Sequence, residues 1–403
     1  MTGTEKKHGR VRKKLSMGVL VFPRAAPTFE QFLFSYLDLL KQFCDEVYVV
    51  SGAIAPRHEY AHVTIHDVGT KLHYAQDVRP YWWSILLWIF RNAAIQMKMA
   101  AALYHARKTI DAVTFCGAEW ILPSMVVAKL IKKRTAVLAW GASHVTYKKN
   151  PGRKKISETV LMSFTKLEGK ITLNLADQIN VEAPSAIRFL GLENHRHKIV
   201  INGGGYVDRD VFRAVKPVSE RSRMIGYVGR LREEKGLMNF VRAIPLLRER
   251  FNDIAFTIIG EGALWGTARH ELKLTESCEA VTMMGWVPHS DLPRYLNEFK
   301  LFVFPSYGEG LPRAVQEAMS CGAPVLATDV GGVPDLIKDG ETGFIISVNS
   351  PEGIVEDATR ILMHKNLAQV AANAEDVIEK EYVYELMAEK CGKALEKLME
   401  PAV

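Results

Sequence analysis

Glu309 and Glu317 lie eight positions apart in the stretch EGLPRAVQEA, with Pro312 and Arg313 between them. LFVF, just before, reads as a short buried strand and PSYGEG as a turn. Leu311 and Pro312 then open a helical pattern whose apolar face is Ala314, Val315, Ala318 and Met319. Proline suits the first helical turn, where its missing N–H costs nothing. Glu309 is then expected in the loop at the positive end of the helix. Glu317, five residues after Pro312, falls roughly 7 Å further along at about 1.5 Å per residue. Two carboxylates so placed can hold both ends of one ligand. A plainer account is available: Glu309 complements the helix dipole, and Glu317 forms a surface pair with Arg313 worth about a few tenths of a kcal/mol. Spacing alone leaves both accounts open.

A second candidate site is YVGRLREEKG, Tyr227 to Gly236. A strand ends at Gly229, and Arg230 and Lys235 precede a helix expected to begin near Gly236. Glycine lets backbone N–H groups approach an anion, and two cations beside a helix start suit a diphosphate. IIGEGA (258–263) and GWVP (285–288) put further glycine turns at strand ends on the same edge.

The elements that must position these residues alternate. MGVLVF, EVYVV, VTIHDVG, DAVTFCG, TAVLAWG and KIVIN read as strands, with a helix near Phe29 to Phe43 and others between. After the glycine-rich break GGGYVDRDVF, a second series follows in MIGYVGRL, IAFTIIG, VTMMGW, LFVF, PVLAT and GFII. Strands alternating with helices predict parallel, doubly wound sheets, so the expected class is α/β with two Rossmann-like domains facing across a cleft. The predicted boundaries are 1–205, 206–380 and a C-terminal helix over 381–403 that packs back on the first domain. Ligands of such sheets bind outside the carboxyl ends of strands.

The chain of 403 residues, 48% hydrophobic and 24% charged, is long enough for two full cores and is not of disordered composition. Its five cysteines, Cys44, Cys116, Cys278, Cys321 and Cys391, are scattered and form no C-x-x-C pair. A disulfide framework or zinc ribbon is therefore not expected, and a reducing cytoplasm fits best. The net charge of +7 and the basic tail KKHGRVRKK (6–14) suggest an anionic partner. No zinc-finger spacing or RRM-like aromatic signature accompanies the charge, so nucleic acid is not the expected one.

At this point the residues carry a family. GRLREEKG, GEG, GWVP, FPSYGEGLPRAVQEAMSCGAPVLATDVGGVPDLI and GETGF, in this order and spacing, closely resemble the nucleotide-sugar glycosyltransferases of family 4, which have the GT-B fold. The resemblance is strong across 224–346. It is weaker but collinear earlier, in FPRAAPTFEQF, ADQINVEAPSAIRFL and KIVINGGGYVDRDVF. It implies Gly229, Arg230 and Lys235 on the donor diphosphate, Glu317 on the ribose hydroxyls, Glu309 on the transferred sugar, and Gly310 and Leu311 lining the nucleotide site. It also implies retention of anomeric configuration with no protein nucleophile, no metal and no cofactor. Two departures stand out. AWGASHV puts Gly141 where the family commonly has a histidine, so His144 is the candidate to face the sugar; and Pro27 replaces an acidic residue before Thr-Phe.

Two other constellations have competing readings. HEYAH (58–62), with His66 next, matches the H-E-x-x-H zinc motif, which needs a helix; here the residues follow Pro56 and run into the strand-like VTIHDVG. YWWSILLWIF (81–90) is too short to cross a bilayer, which takes about twenty residues. As a helix it extends Ser84, Arg91, Lys98 and His105 along one polar stripe. It reads either as a core helix or as an interfacial helix resting on lipid, with the basic tail drawn to anionic headgroups.

The reading the sequence favours is a retaining, metal-independent hexosyltransferase moving a sugar from UDP or GDP to a glycan or lipid-linked glycan. It would be cytoplasmic, with peripheral contact at the inner face of the membrane. The alternatives are a GT-B epimerase, a phosphorylase with lysine-bound pyridoxal, and a non-catalytic sugar- or nucleic-acid-binding protein.

Overall fold

The computed structural model describes residues 15–22, 27–52, 62–69, 82–140, 156–202 and 204–401. Thirteen strands occur among them, in two parallel sheets. The first sheet has the order β3-β2-β1-β4-β5-β6-β7. Its strands are β1 Ser16–Val21, β2 Glu46–Ser51, β3 Val63–Asp67, β4 Ala112–Cys116, β5 Arg134–Ala139, β6 Gln178–Val181 and β7 Ile199–Ile201. The second sheet has the order β10-β9-β8-β11-β12-β13. It is built from β8 Met224–Val228, β9 Ala255–Ile259, β10 Val281–Gly285, β11 Leu301–Phe304, β12 Val325–Ala327 and β13 Phe344–Ile345. This is the 3-2-1-4-5-6 order of a doubly wound dinucleotide fold.

Contact density groups the chain into two units, Met1–Phe115 with Pro123–Thr135, and Cys116–Leu122 with Ala136–Val403. In the first unit, β1 and β2 pair from Ser16↔Glu46 to Leu20↔Val50. Helix Pro27–Leu40 buries Leu33, Leu37 and Leu40, and ends before the Phe43 expected to close it. The chain turns instead through Lys41–Phe43 to set up β2. Helix Trp82–His105 spans 24 residues. From Ile89 onward it buries Ile95, Met99 and Leu103 in the core, while Arg91, Lys98 and His105 are exposed as the polar stripe requires. Phe90, Met97 and Tyr104 are exposed as well. Among the described residues no helix is long and apolar enough to cross a membrane. Val63–Asp67, with His66, forms a strand rather than the helix a zinc motif needs; His58 lies outside the described residues.

The second unit holds the larger core. Strands β8 and β11 are almost wholly buried on both faces, as continuous apolar runs in parallel sheets must be. Tyr227, Phe240, Phe256, Leu301 and Val303 pack between the sheet and helices Leu237–Arg250 and Pro351–Leu362. Strand β6 is short and polar in sequence, and apolar patterning did not single it out. Its Gln178 is satisfied by Asn180 Oδ1 (2.8 Å) and by Ala394 O (2.9 Å) of helix Tyr384–Met399.

Arg221, 4% exposed, follows a short turn that the sequence marks only as polar. Its guanidinium donates to Lys216 O (2.8 Å), Leu296 O (3.3 Å), Phe299 O (3.1 Å) and Cys321 O (2.8 Å). A buried charge is tolerated when its donors are matched in this way.

Candidate active site

In the second sheet, β8 lies between β9 and β11, so the direction of winding reverses at the β8/β11 junction. Loops leaving the carboxyl ends of those strands flank the crevice where ligands of such sheets bind. Residues after β8 run Gly229, Arg230 to Lys235, and those after β11 run Pro305 to Glu309. The two groups picked out from the sequence therefore meet.

Their meeting depends on Gly236, which has φ +67 and whose Cβ, if present, would sit 1.9 Å from Pro305 O. No side chain fits there, so the β11 loop packs directly against the start of helix Leu237–Arg250. Glu234 O then accepts the Tyr307 N–H at 2.9 Å and the Ser306 hydroxyl at 3.2 Å. Asn239 Nδ2 donates to the Tyr307 hydroxyl at 2.9 Å. The zipped loops bring Lys235 Nζ to 2.5 Å from Glu309 Oε1, with side chains 14% and 10% exposed. An ammonium has three donors, so Lys235 can keep Glu309 and still bind a phosphate oxygen.

Arg230 is half-buried at the same edge, with Nη2 3.8 Å from Glu234 Oε1. Its carbonyl accepts the hydroxyl of buried Tyr227 at 3.0 Å, which fixes the turn leaving β8. Burial, with the Glu309 and Glu234 carboxylates, pushes the Tyr227 phenol well above its ordinary range, so it acts as a fixed donor. The Gly229 N–H is used by Ile259 O at 3.0 Å. That glycine shapes the turn while its amide stays within the sheet.

Pro312 does not enter the helix. It is the N-cap with extended backbone, and the helix runs Arg313–Ser320. The expected one-sided apolar face is also corrected: Ala314 is half-buried, whereas Gln316, Glu317 and Ser320 are buried together with Val315, Ala318 and Met319. The pair of Glu317 with Arg313 forms, but it is long and buried rather than on the surface, and His289 is the nearer partner. Glu317 is 8% exposed, its Oε1 lies 2.7 Å from His289 Nε2, and Arg313 Nε is 4.0 Å away. The His289 ring in turn rests against Phe212, with centroids 4.7 Å apart.

Gly310 and Leu311 are engaged by the protein itself. Gly310 O accepts the Gly332 N–H at 2.5 Å, and the Leu311 N–H goes to Glu182 Oε2 at 2.7 Å. Neither Glu182 nor His289 was singled out by motif. Glu182 directly follows β6, the strand that apolar patterning also missed. His144 lies outside the described residues. Among the described residues no group of three or more His, Cys, Asp or Glu side chains is arranged to hold a metal.

Comparison with known proteins bears on the fold and on the second half of the chain. Residues 208–376 match the family model of Glycosyl transferases group 1. The amylovoran biosynthesis glycosyltransferase AmsK of Erwinia amylovora is 29% identical over 182 residues, 42% of this chain and 44% of that protein. The UDP-Gal:alpha-D-GlcNAc-diphosphoundecaprenol alpha-1,3-galactosyltransferase of Escherichia coli is 26% identical over 191 residues, 47% of this chain and 48% of that protein. The matched stretch thus spans less than half the length of these curated relatives. Among solved structures, sucrose-phosphate synthase of Thermosynechococcus elongatus superposes with a TM-score of 0.74 at 16% identity, over 96% of this chain and 99% of that one. HepE of Anabaena, solved in complex with UDP, superposes with a TM-score of 0.72 at 15% identity, over 95% and 100%. The chain has the GT-B fold, and its residues 208–376 carry the match to glycosyl transferases group 1.

Proposed function

We propose that the protein is a retaining, metal-independent glycosyltransferase of family 4 that moves a hexosyl group from a UDP- or GDP-sugar to a glycan or lipid-linked glycan. The observation that carries this reading is the buried Lys235–Glu309 contact at the β8/β11 junction, where a cation for a diphosphate adjoins a carboxylate for a sugar. Arg230 and Lys235 hold the diphosphate, Glu317 the ribose hydroxyls and Glu309 the transferred sugar, so that Glu309 and Glu317 form an E-x7-E pair. His144, outside the described residues, is the candidate from the first half of the chain for contact with the sugar. In the reaction the anomeric C–O bond to the diphosphate breaks and the acceptor oxygen bonds the same carbon on the same face. The acceptor proton leaves with the nucleoside diphosphate, so no covalent protein intermediate is needed.

A lipid-linked acceptor is supported by the Escherichia coli relative, whose name specifies a diphosphoundecaprenol acceptor. Phe90, Met97 and Tyr104 stand exposed beside Arg91 and Lys98 on helix Trp82–His105. Such a mixed face suits peripheral contact with an anionic membrane, on its cytoplasmic side.

The test is a thermal-shift screen of UDP- and GDP-sugars, followed by transfer assays with chelator present and by assignment of the product anomer. A donor at a hundred times its dissociation constant stabilises by about 2.7 kcal/mol. Transfer with retention in the presence of chelator is expected. No stabilisation by any sugar nucleotide, or inversion at the anomeric carbon, overturns the reading.

A further inference from the structure

Glu182 is 7% exposed and stands just after β6, on the turn that leads into helix Pro184–Phe189. It reaches the loop that carries Glu309. Its Oε2 accepts the Leu311 N–H at 2.7 Å. Space for the carboxyl is made by two glycines: a Cβ on Gly310 would meet Glu182 Oε2 at 2.1 Å and Trp140 O at 2.2 Å, and one on Gly204, at φ +73, would meet Glu182 Oε1 at 2.4 Å. The same turn secures the other side of that loop. Ser185 donates its hydroxyl to Gly331 O at 2.6 Å and its N–H to Asp335 Oδ2 at 2.9 Å. Gly332 N–H then donates to Gly310 O. Gly310 is thus gripped from two sides, and it adjoins Glu309.

We propose that Glu182 is a positioning residue for sugar transfer: by accepting the Leu311 N–H and filling the space left by Gly204 and Gly310, it fixes the turn that aims Glu309. This rests on the glycosyltransferase reading of the site. Either form of the carboxyl can accept the Leu311 N–H, and burial together with the Glu309 carboxylate favours the neutral one. Burial pushes Glu182 up to about 8, helped by the Glu309 carboxylate and opposed by the Leu311 N–H and by Arg313. The charged and titratable groups around it are Glu309, held by Lys235, then Arg313 and Tyr382, with Asp335 held by Ser185. At neutral pH Glu182 therefore binds as an uncharged acid. Above about pH 8 it ionises, and a second negative charge appears in the buried turn beside Glu309.

Glu182→Ala removes the acceptor, and Glu182→Gln keeps the acceptor and the volume but cannot ionise. Glu182→Ala is expected to lower kcat at least tenfold while leaving UDP affinity, measured by calorimetry, within about twofold, because the diphosphate contacts are untouched. Glu182→Gln is expected to recover most of that kcat and to lose the alkaline fall of kcat that the wild type shows near pH 8. Hydrogen exchange of the 306–315 segment gives a readout that needs no turnover: Leu311 protection should be lost in Glu182→Ala and kept in Glu182→Gln. If no sugar nucleotide is turned over by the wild type, the functional reading fails, and the exchange experiment still decides whether Glu182 holds the turn. Unchanged kcat in Glu182→Ala, an alkaline limb that persists in Glu182→Gln, or unchanged exchange in Glu182→Ala overturns the proposal.

Discussion

Lys235→Met removes the ammonium that faces Glu309 while preserving most of the side-chain volume. In the wild type the two charges sit 2.5 Å apart with only 14% and 10% of their side chains exposed, so the variant leaves a carboxylate buried without its counter-ion. Stranding one member of a buried pair costs about 3–5 kcal/mol. For units of this size, about 2–4 °C of melting temperature accompanies each kcal/mol, which gives a fall of roughly 6–20 °C. Glu309→Gln keeps a hydrogen-bond acceptor for Lys235 and should cost less. The double variant Lys235→Met/Glu309→Gln contains no stranded charge and should melt above Lys235→Met alone. Calorimetric unfolding of the wild type, both single variants and the double variant closes a thermodynamic cycle. A coupling of about 0.5–3 kcal/mol is expected for groups in contact. If the two single effects add to within about 0.5 kcal/mol, the pair is not coupled and the reasoning is refuted.

Three further outcomes concern ligand and turnover. Replacing Arg230 or Lys235 by alanine should weaken calorimetric binding of free nucleoside diphosphate as much as that of the sugar donor; unchanged diphosphate affinity in both variants removes them from the phosphate site. Glu309→Gln should leave diphosphate affinity near normal while turnover falls about a hundredfold or more, because the group acts where charge develops in the transition state; full turnover defeats the role. Glu317→Ala should cost about 1.5–3 kcal/mol of binding through a lost charge-assisted hydrogen bond, roughly ten- to a hundredfold, for diphosphate and donor alike. A loss confined to the sugar donor would contradict ribose binding by Glu317.

The sheets were legible because parallel strands are buried on both faces, and their apolar runs, ended by glycine or proline, survive in sequence as MIGYVGRL, IAFTIIG and LFVF. Strand β6 escaped because its interior polar groups are satisfied by residues as distant as Ala394, and no local pattern encodes that. Helix ends shifted by a residue or more at Pro312 and Phe43, where the loop's onward path decides the last turn. Arg230, Lys235 and Glu309 could be grouped from sequence because all follow strand ends on one sheet edge. Their contact rests on Gly236, whose positive φ admits the β11 loop. His289 and Glu182 were invisible for a different reason. Each reaches its partner across 28 and 129 positions respectively, through folded geometry alone. The burial of Glu317 follows from the same cause, since a helix pattern reads a glutamate as solvent-facing unless its partner is known.

Every hydrogen-bond acceptor that the Arg221 guanidinium reaches is a main-chain carbonyl, and the Glu375 and Glu298 carboxylates add charge attraction. None of these acceptors is recognised by side-chain identity, so a change of side chain at Lys216, Leu296, Phe299 or Cys321 does not by itself remove an acceptor. Chain length is another matter. Lys216 O is reached from only five positions away and must lie on the same guanidinium as Cys321 O, a hundred positions on. An inserted or deleted residue between 216 and 221 would pull one carbonyl out of reach and leave a buried cation short of an acceptor. The segment should therefore keep a constant number of residues across descendants of this sequence, with Arg221 and the buried Val218 retained and the exposed positions between them free to vary.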